Sequence, residues 1–411
     1  MHRNRKFVVP IMLASGLVLA ACGGAADNAV EPASEGATTA ESAAAEGDSA
    51  GTKYKVALSL SYTGNDWQDE AANLVKGAAA SEPYASKVEL VTDISGPDVT
   101  KQIQLLNNQI ASGVDAIIVY PISPTALNET IKKACDQGIV VVAYDSLVTE
   151  PCAYNVHIDQ YEHAKYTSEW LVKELNGKGT IANITGVPGT TVDSDRQKAL
   201  DDVLAANPGV TIAGSENGDW AQQIGTQALQ QIMAAHPDIN GIFAQAGCWS
   251  MTSWQLKQGK DPLPCAGEFG NGHHIYMLPK DQGGIGLRSS SAGSPVFSGE
   301  LAFINAVRVL DGEQVARNMI LPIPRFTSED VIAAGNQACN NNPAEGGLMM
   351  CAGAVPGGFF DGFWSPLVTQ GLQAALTGKP DKISDPLPCS QVEGCIERDE
   401  LTFDDNHAGG N

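Results

Sequence analysis

Two tetrapeptides carry residues suited to holding a small molecule: Gly64-Asn65-Asp66-Trp67 and Asn217-Gly218-Asp219-Trp220. Each ends in a tryptophan set in a polar turn rather than in an apolar run. Such a turn presents a flat ring that packs on the C–H face of a ligand, beside asparagine and aspartate groups that hydrogen-bond. Asp145, after Val-Val-Val-Ala-Tyr, supplies a carboxylate able to accept two hydroxyl bonds, and Arg196 supplies a rigid fork of donors. Aromatic walls with a few fixed polar groups are what a hydroxyl-rich ligand requires. A nucleoside or a cation held over the rings would use part of the same set, although Arg196 would repel a cation. Asp145, Asp159 and Glu268 could form a glycosidase pair. No G-x-S-x-G elbow, H-E-x-x-H or P-loop accompanies them, so the chain reads as a binder, not an enzyme. The cysteines and histidines lack zinc-site spacing, and no metal or cofactor is expected.

From residue 54 the chain alternates apolar strand-like runs with helical stretches. "YKVALSLS", "VDAIIVYP", "GIVVVAYDS", "GTIANITG" and "INGIFAQAG" are separated by segments such as "DVTKQIQLLNNQIASG" and "RQKALDDVLAANPG". Short links between them predict parallel sheets wrapped by helices on both faces. The strands are too many for one sheet, so two halves are expected, over 54–157 and 158 to about 293. Ligands of open parallel sheets sit beyond the carboxyl ends of the strands. Asn65, Trp67, Tyr120, Asp145, Arg196, Trp220, Gln245 and Glu268 fall at or near such ends. Trp249 and Trp254, five apart on one predicted helix, read as core. His273-His274 reads as surface or loop.

The chain has 411 residues, enough for two domains or lobes. It begins with a basic stretch and an apolar run too short to span a bilayer with ease, which reads as a signal peptide over 1–21. The run ends in Leu19-Ala20-Ala21-Cys22, which resembles the bacterial lipobox and implies lipidation of Cys22. Residues 22–52 lack aromatic residues and carry acids without a base, so they read as a disordered tether. About 30 such residues reach roughly 30 Å. A net charge of −22 speaks against a nucleic-acid partner. Besides Cys22 there are eight cysteines, an even number that implies disulfides in an exported chain. Pairing by proximity gives Cys135–Cys152, Cys248–Cys265, Cys339–Cys351 and Cys389–Cys395.

In this order the residues resemble the type I periplasmic substrate-binding proteins of ABC transporters, in particular the ribose and related sugar-binding group. The likeness runs from 54 to about 330. Asn65 and Trp67 stand where that family has asparagine and a stacking aromatic. Asp145 stands at its ligand aspartate, Arg196 at its ligand arginine, and Trp220 at its second stacking aromatic. The chain departs at Ala246-Gly247, where Asn-Asp is usual, at Ser146, and at Tyr120 in place of asparagine. At "GEFGNG" Glu268 or Asn271 replaces an aspartate.

The resemblance implies an α/β fold of two Rossmann-like lobes joined by a three-strand hinge, with the ligand cleft between them. Lobe one would hold 53–157 and 294–324. Lobe two would hold 158–293 and 325–411, with the cysteine-rich tail packed on it and Trp364 in a small core of its own. It further implies a monomer outside the cytoplasm, anchored through Cys22. It would bind a small sugar or polyol and serve a permease and its ATPase, or present its ligand to a sensor. The sequence leaves open whether the tail reaches the cleft.

Overall fold

A computed structural model describes residues 53–334, 355–360 and 365–401. Cys22, the tether, Cys339, Cys351 and Trp364 lie outside the described residues. The first half of the chain forms β1 (Tyr54–Leu60), α1 (Asp66–Ala79), β2 (Val88–Ile94), α2 (Val99–Ala111) and β3 (Ala116–Val119). It continues with α3 (Asn128–Asp136), β4 (Val140–Tyr144) and β5 (Tyr154–His157). A second series follows: α4 (Gln160–Glu174), β6 (Gly179–Thr185), α5 (Thr191–Ala206), β7 (Val210–Asn217) and α6 (Gln222–Ala235). It ends with β8 (Gly241–Ala244), α7 (Cys248–Lys257), β9 (Cys265–Glu268), α8 (Asn271–Met277) and β10 (Ser289–Ala292). The remainder comprises α9 (Ser298–Leu310), β11 (Asn318–Ile320), β12 (Arg325–Thr327), α10 (Ser328–Ala334), α11 (Leu372–Thr377) and β13 (Ile396–Arg398).

Two sheets result, ordered β13-β11-β5-β4-β3-β1-β2 and β12-β10-β9-β8-β6-β7. Pairing is parallel except at one edge of each sheet, where β13 meets β11 and β12 meets β10 antiparallel. The chain passes between the sheets four times: after β5, between β10 and α9, between β11 and β12, and, in the tail, between β12 and β13. This is the expected two-lobed α/β fold; the first three passages are the expected crossings, and the tail adds a fourth. The Val/Ile run of β3 is buried throughout, because helices cover both faces of its sheet. On the first sheet, α9 packs its apolar face over β3, β4 and β5, and α1 packs on α9 and β2 in the same continuous core.

Disulfides join Cys135 to Cys152, Cys248 to Cys265 and Cys389 to Cys395. The second fixes the first residue of α7 to the first residue of β9.

The placement of the tail is corrected. Its described residues do not pack on lobe two alone. β13 extends the first sheet, and α11 lies on α1. The contact is close because α1 offers Gly77, where an added Cβ would sit 2.8 Å from the Cβ of Ala374. Residues 355–360 also touch α8 of the second lobe, through Asn271 N–H to Phe359 O at 2.6 Å and Gly272 N–H to Gly357 O at 2.8 Å. A second correction concerns His273 and His274. They are buried on α8, not exposed in a loop, and their Nε2 atoms bond Ser289 and Ser291 at 2.6 and 2.8 Å. Burial, with His274 alongside, pushes the His273 imidazole down to about 3, so it is neutral.

Candidate ligand-binding site

The turn after β1 positions the first group of residues. Asn65 caps α1, its Oδ1 accepting from Gln68 N–H at 2.8 Å, and this sets Trp67 on the first helical turn. Tyr120 follows β3 and Asp145 follows β4, at the same end of the sheet. From the other lobe come Arg196 on α5, Trp220 between β7 and α6, and Glu268 at the end of β9. All of these line one pocket of about 290 Å³, together with Tyr62, Gln68, Val192, Ala246, Ser294 and Phe360. Gln245, expected to touch ligand, does not line it. Its Oε1 accepts from Trp220 Nε1 at 3.0 Å and its Nε2 donates to Asp193 Oδ1 at 2.8 Å, so it braces the tryptophan from behind.

Arg196 is 2% exposed and almost fully engaged. Its Nε donates to Gln160 Oε1 at 2.8 Å, Nη1 to Gln245 O at 3.1 Å, and Nη2 to Ser294 Oγ at 2.8 Å. Nη2 also pairs with Glu268 Oε2 at 2.6 Å. A guanidinium has five N–H donors, so one on Nη1 is left to face the pocket. Glu268 spends its other oxygen on Ser294 N–H at 2.6 Å. Burial opposes its charge, but Arg196, His163 and the Ser294 amide together outweigh that and hold Glu268 below the usual carboxylate range. Glu268 therefore orients Arg196 and neutralises it, with little acceptor capacity left for a ligand.

Asp145 differs. Gln160 Nε2 donates to its Oδ1 at 3.0 Å. Burial raises its pKa to about 7, against the opposing pull of Arg196 and with the help of Glu268's negative charge. It is the acid in this cleft able to change charge near neutral pH. With Arg196 cancelled by Glu268, the site is close to neutral overall, which suits an uncharged ligand better than a cation.

The aromatic residues form a chain across the cleft. Trp220 stacks on Tyr62 with centroids 6.2 Å apart, and Tyr62 meets Tyr120 edge-on at 6.0 Å. Tyr120 in turn meets Trp67 at 5.9 Å, and Trp67 stacks on Tyr144 at 6.3 Å. Trp67 is thus more than a ligand wall. It is 7% exposed, belongs to the first lobe's core, and donates Nε1–H to Ser294 O at 2.9 Å. Trp220 is held differently. Asp219 and Trp220 both adopt left-handed backbone, with φ of 51° and 53°. A bulky residue in that region costs about 1–3 kcal/mol and persists only where its surroundings enforce it. Gly186 makes room for the ring, since a Cβ there would lie 2.2 Å from it.

Sequence reasoning missed Tyr62, Gln68, Gln160 and Ser294. Tyr62 Oη and both amide atoms of Gln68 are buried at the pocket without a hydrogen-bond partner in the protein. Each such group costs roughly 1–3 kcal/mol while unsatisfied.

The chain belongs to the periplasmic binding protein domain family, whose model matches residues 56–314. Its two lobes are those of the type I form. It is 27% identical over 272 residues to a xylitol-binding protein of Mycolicibacterium smegmatis, covering 65% of this chain and 77% of that protein. It is 29% identical over 202 residues to a D-ribose/D-allose-binding protein of Pseudomonas aeruginosa, covering 47% of this chain and 62% of that one. Its fold superposes on an ABC transporter solute-binding protein from Thermobispora bispora with a TM-score of 0.64 at 20% identity, over 82% of this chain and 99% of the other.

Two predictions follow from this packing. Trp67→Ala should destabilise the unliganded protein by about 3–5 kcal/mol, as for a buried tryptophan. Trp220→Ala should cost clearly less in the same urea titration. Equal losses would show that both rings are core. Asp145→Asn is isosteric and tolerates the φ of 58° at this position. In the parent protein, the proton on Asp145 favours the folded state at acid pH, and this contribution is lost as pH rises toward about 7. The variant should therefore melt higher than the parent at pH 8 and equal to it near pH 4. A constant difference across that range would refute the buried charge as its cause.

Proposed function

We propose that this protein is the extracytoplasmic solute-binding component of an ABC importer, closing its two lobes on a small uncharged sugar or polyol. The observation that carries this reading is the set of unpartnered polar atoms, Tyr62 Oη and the Gln68 amide, on a pocket walled by Trp67, Trp220 and Tyr120. A ligand with several hydroxyls satisfies donors and acceptors together, and its C–H faces pack on rings. The free Nη1 hydrogen of Arg196 and the second oxygen of Asp145 would complete the set. Binding proteins for xylitol, ribose and allose among the relatives support the same ligand class. The protein's task in this reading is capture and delivery to a permease, not catalysis.

A thermal-shift screen against sugars, polyols, nucleosides and amines tests the ligand class. A ligand at 100 times its Kd adds about 2.7 kcal/mol, which raises Tm by roughly 3–4 °C in a chain of this size. The stabilising compound should be a sugar or polyol, and Trp220→Ala should weaken it roughly 30-fold or more. Stabilisation by amines or nucleosides alone would overturn the reading. We further propose that Cys22 carries a lipid anchor. Cys22→Ser should move the protein from the membrane fraction to soluble or unprocessed forms. A cleaved variant that stays on the membrane would sink this proposal.

A further inference from the structure

Phe360 lines the pocket although it lies well beyond residues 56–314, which make up the family module. It is buried, and its ring lies 6.5 Å from that of Phe269. The segment that carries it is held from both sides. On the second lobe, the Asn271 and Gly272 amides donate to Phe359 O and Gly357 O. On the first, Phe360 N–H donates to Glu70 Oε1 on α1 at 3.0 Å. A tight turn, Phe359 N–H to Pro356 O at 3.2 Å, folds the segment between these anchors.

Its two glycines explain how it fits. A Cβ on Gly357 would lie 2.1 Å from the ring of Trp249 on α7. A Cβ on Gly358 would lie 1.8 Å from Asp66 Oδ2 on α1. Neither glycine has a positive φ, so space and not backbone freedom demands them. The turn is wedged between one residue of each lobe, with Phe360 aimed at the ligand space.

We propose that residues 355–360 form a strap which closes one wall of the cleft with Phe360 and sets the largest ligand the site admits. The proposal rests on the sugar or polyol reading given above. With a rigid ring as the wall, the strap favours compact five- or six-carbon polyols and monosaccharides over disaccharides.

The test compares the full-length parent, Phe360→Ala and Gly358→Ala against glycerol, xylitol, ribose, myo-inositol and sucrose by calorimetry. Backbone amide exchange of Asn271 and Gly272 is followed without ligand. Phe360→Ala should lose at least tenfold in affinity for the parent's best ligand and shift its preference at least tenfold toward larger members. Gly358→Ala should speed exchange at Asn271 and Gly272 at least tenfold, and Asp66→Ala in the same chain should restore protection by removing the clash. An unchanged ligand order in a folded Phe360→Ala protein would overturn the strap as a size limit. Unchanged exchange in Gly358→Ala would overturn its anchoring. A parent that binds nothing in the panel would instead refute the sugar reading, and the exchange data alone would then judge the strap.

Discussion

The buried guanidinium of Arg196 is the fixed point of this cleft. Burying an ion pair is expensive unless every remaining donor and acceptor is used. Here the partners come from separate parts of the fold: Gln160 at the start of α4, Gln245 after β8, Glu268 on β9, and Ser294 in the second crossing. The same Ser294 accepts from Trp67 of the first lobe through its carbonyl. Gln160 passes the network on to Asp145. One cation thus sets the positions of an acid, an amide and a hydroxyl drawn from both lobes and two crossings. Removing Glu268 would leave an uncompensated buried charge, a loss of about 3–5 kcal/mol.

Around that point the cleft combines strain with incomplete satisfaction. Asp145, Asp219 and Trp220 hold left-handed backbone, and Tyr62 and Gln68 keep polar atoms unpaired. A core assembled for stability alone would avoid both. Sites that must hold a ligand accept such costs in the free state and recover them on binding. The ring chain from Trp220 to Tyr144 carries the pocket wall into the first lobe's core, so ligand contact and packing share the same side chains.

The lobed α/β fold was legible because strands buried on both faces read as Val/Ile runs and helices end at glycine or proline. That Asn65, Trp67, Tyr120, Asp145, Arg196 and Trp220 line one pocket was legible because the carboxyl ends of parallel strands and the helices that follow them converge on one cleft. Gln245 was misread for an instructive reason: it sits at a strand end but spends its amide on Trp220 and Asp193. Ser294 and Gln160 lie in crossings, where local pattern says nothing about what the chain passes beside. Phe360 joins the site through a contact with Glu70, 290 residues away in sequence, and no periodicity encodes that distance. His273 and His274 looked polar enough for the surface, and the hydroxyls of Ser289 and Ser291 help make their burial tolerable.

The described chain enters through β1 and leaves through β13, and both strands belong to the first sheet. Strands β6 to β10 of the second sheet are therefore an insertion between β5 and β11, and β12 is a second, short one between β11 and β13. Mechanically, a load applied across the two ends runs through the first sheet and leaves the inserted sheet slack. A label at β1 and one at β13 report on the same half of the molecule. A reporter of lobe movement must be placed inside the insertion, because β1 and β13 share one sheet and do not separate when the second half swings.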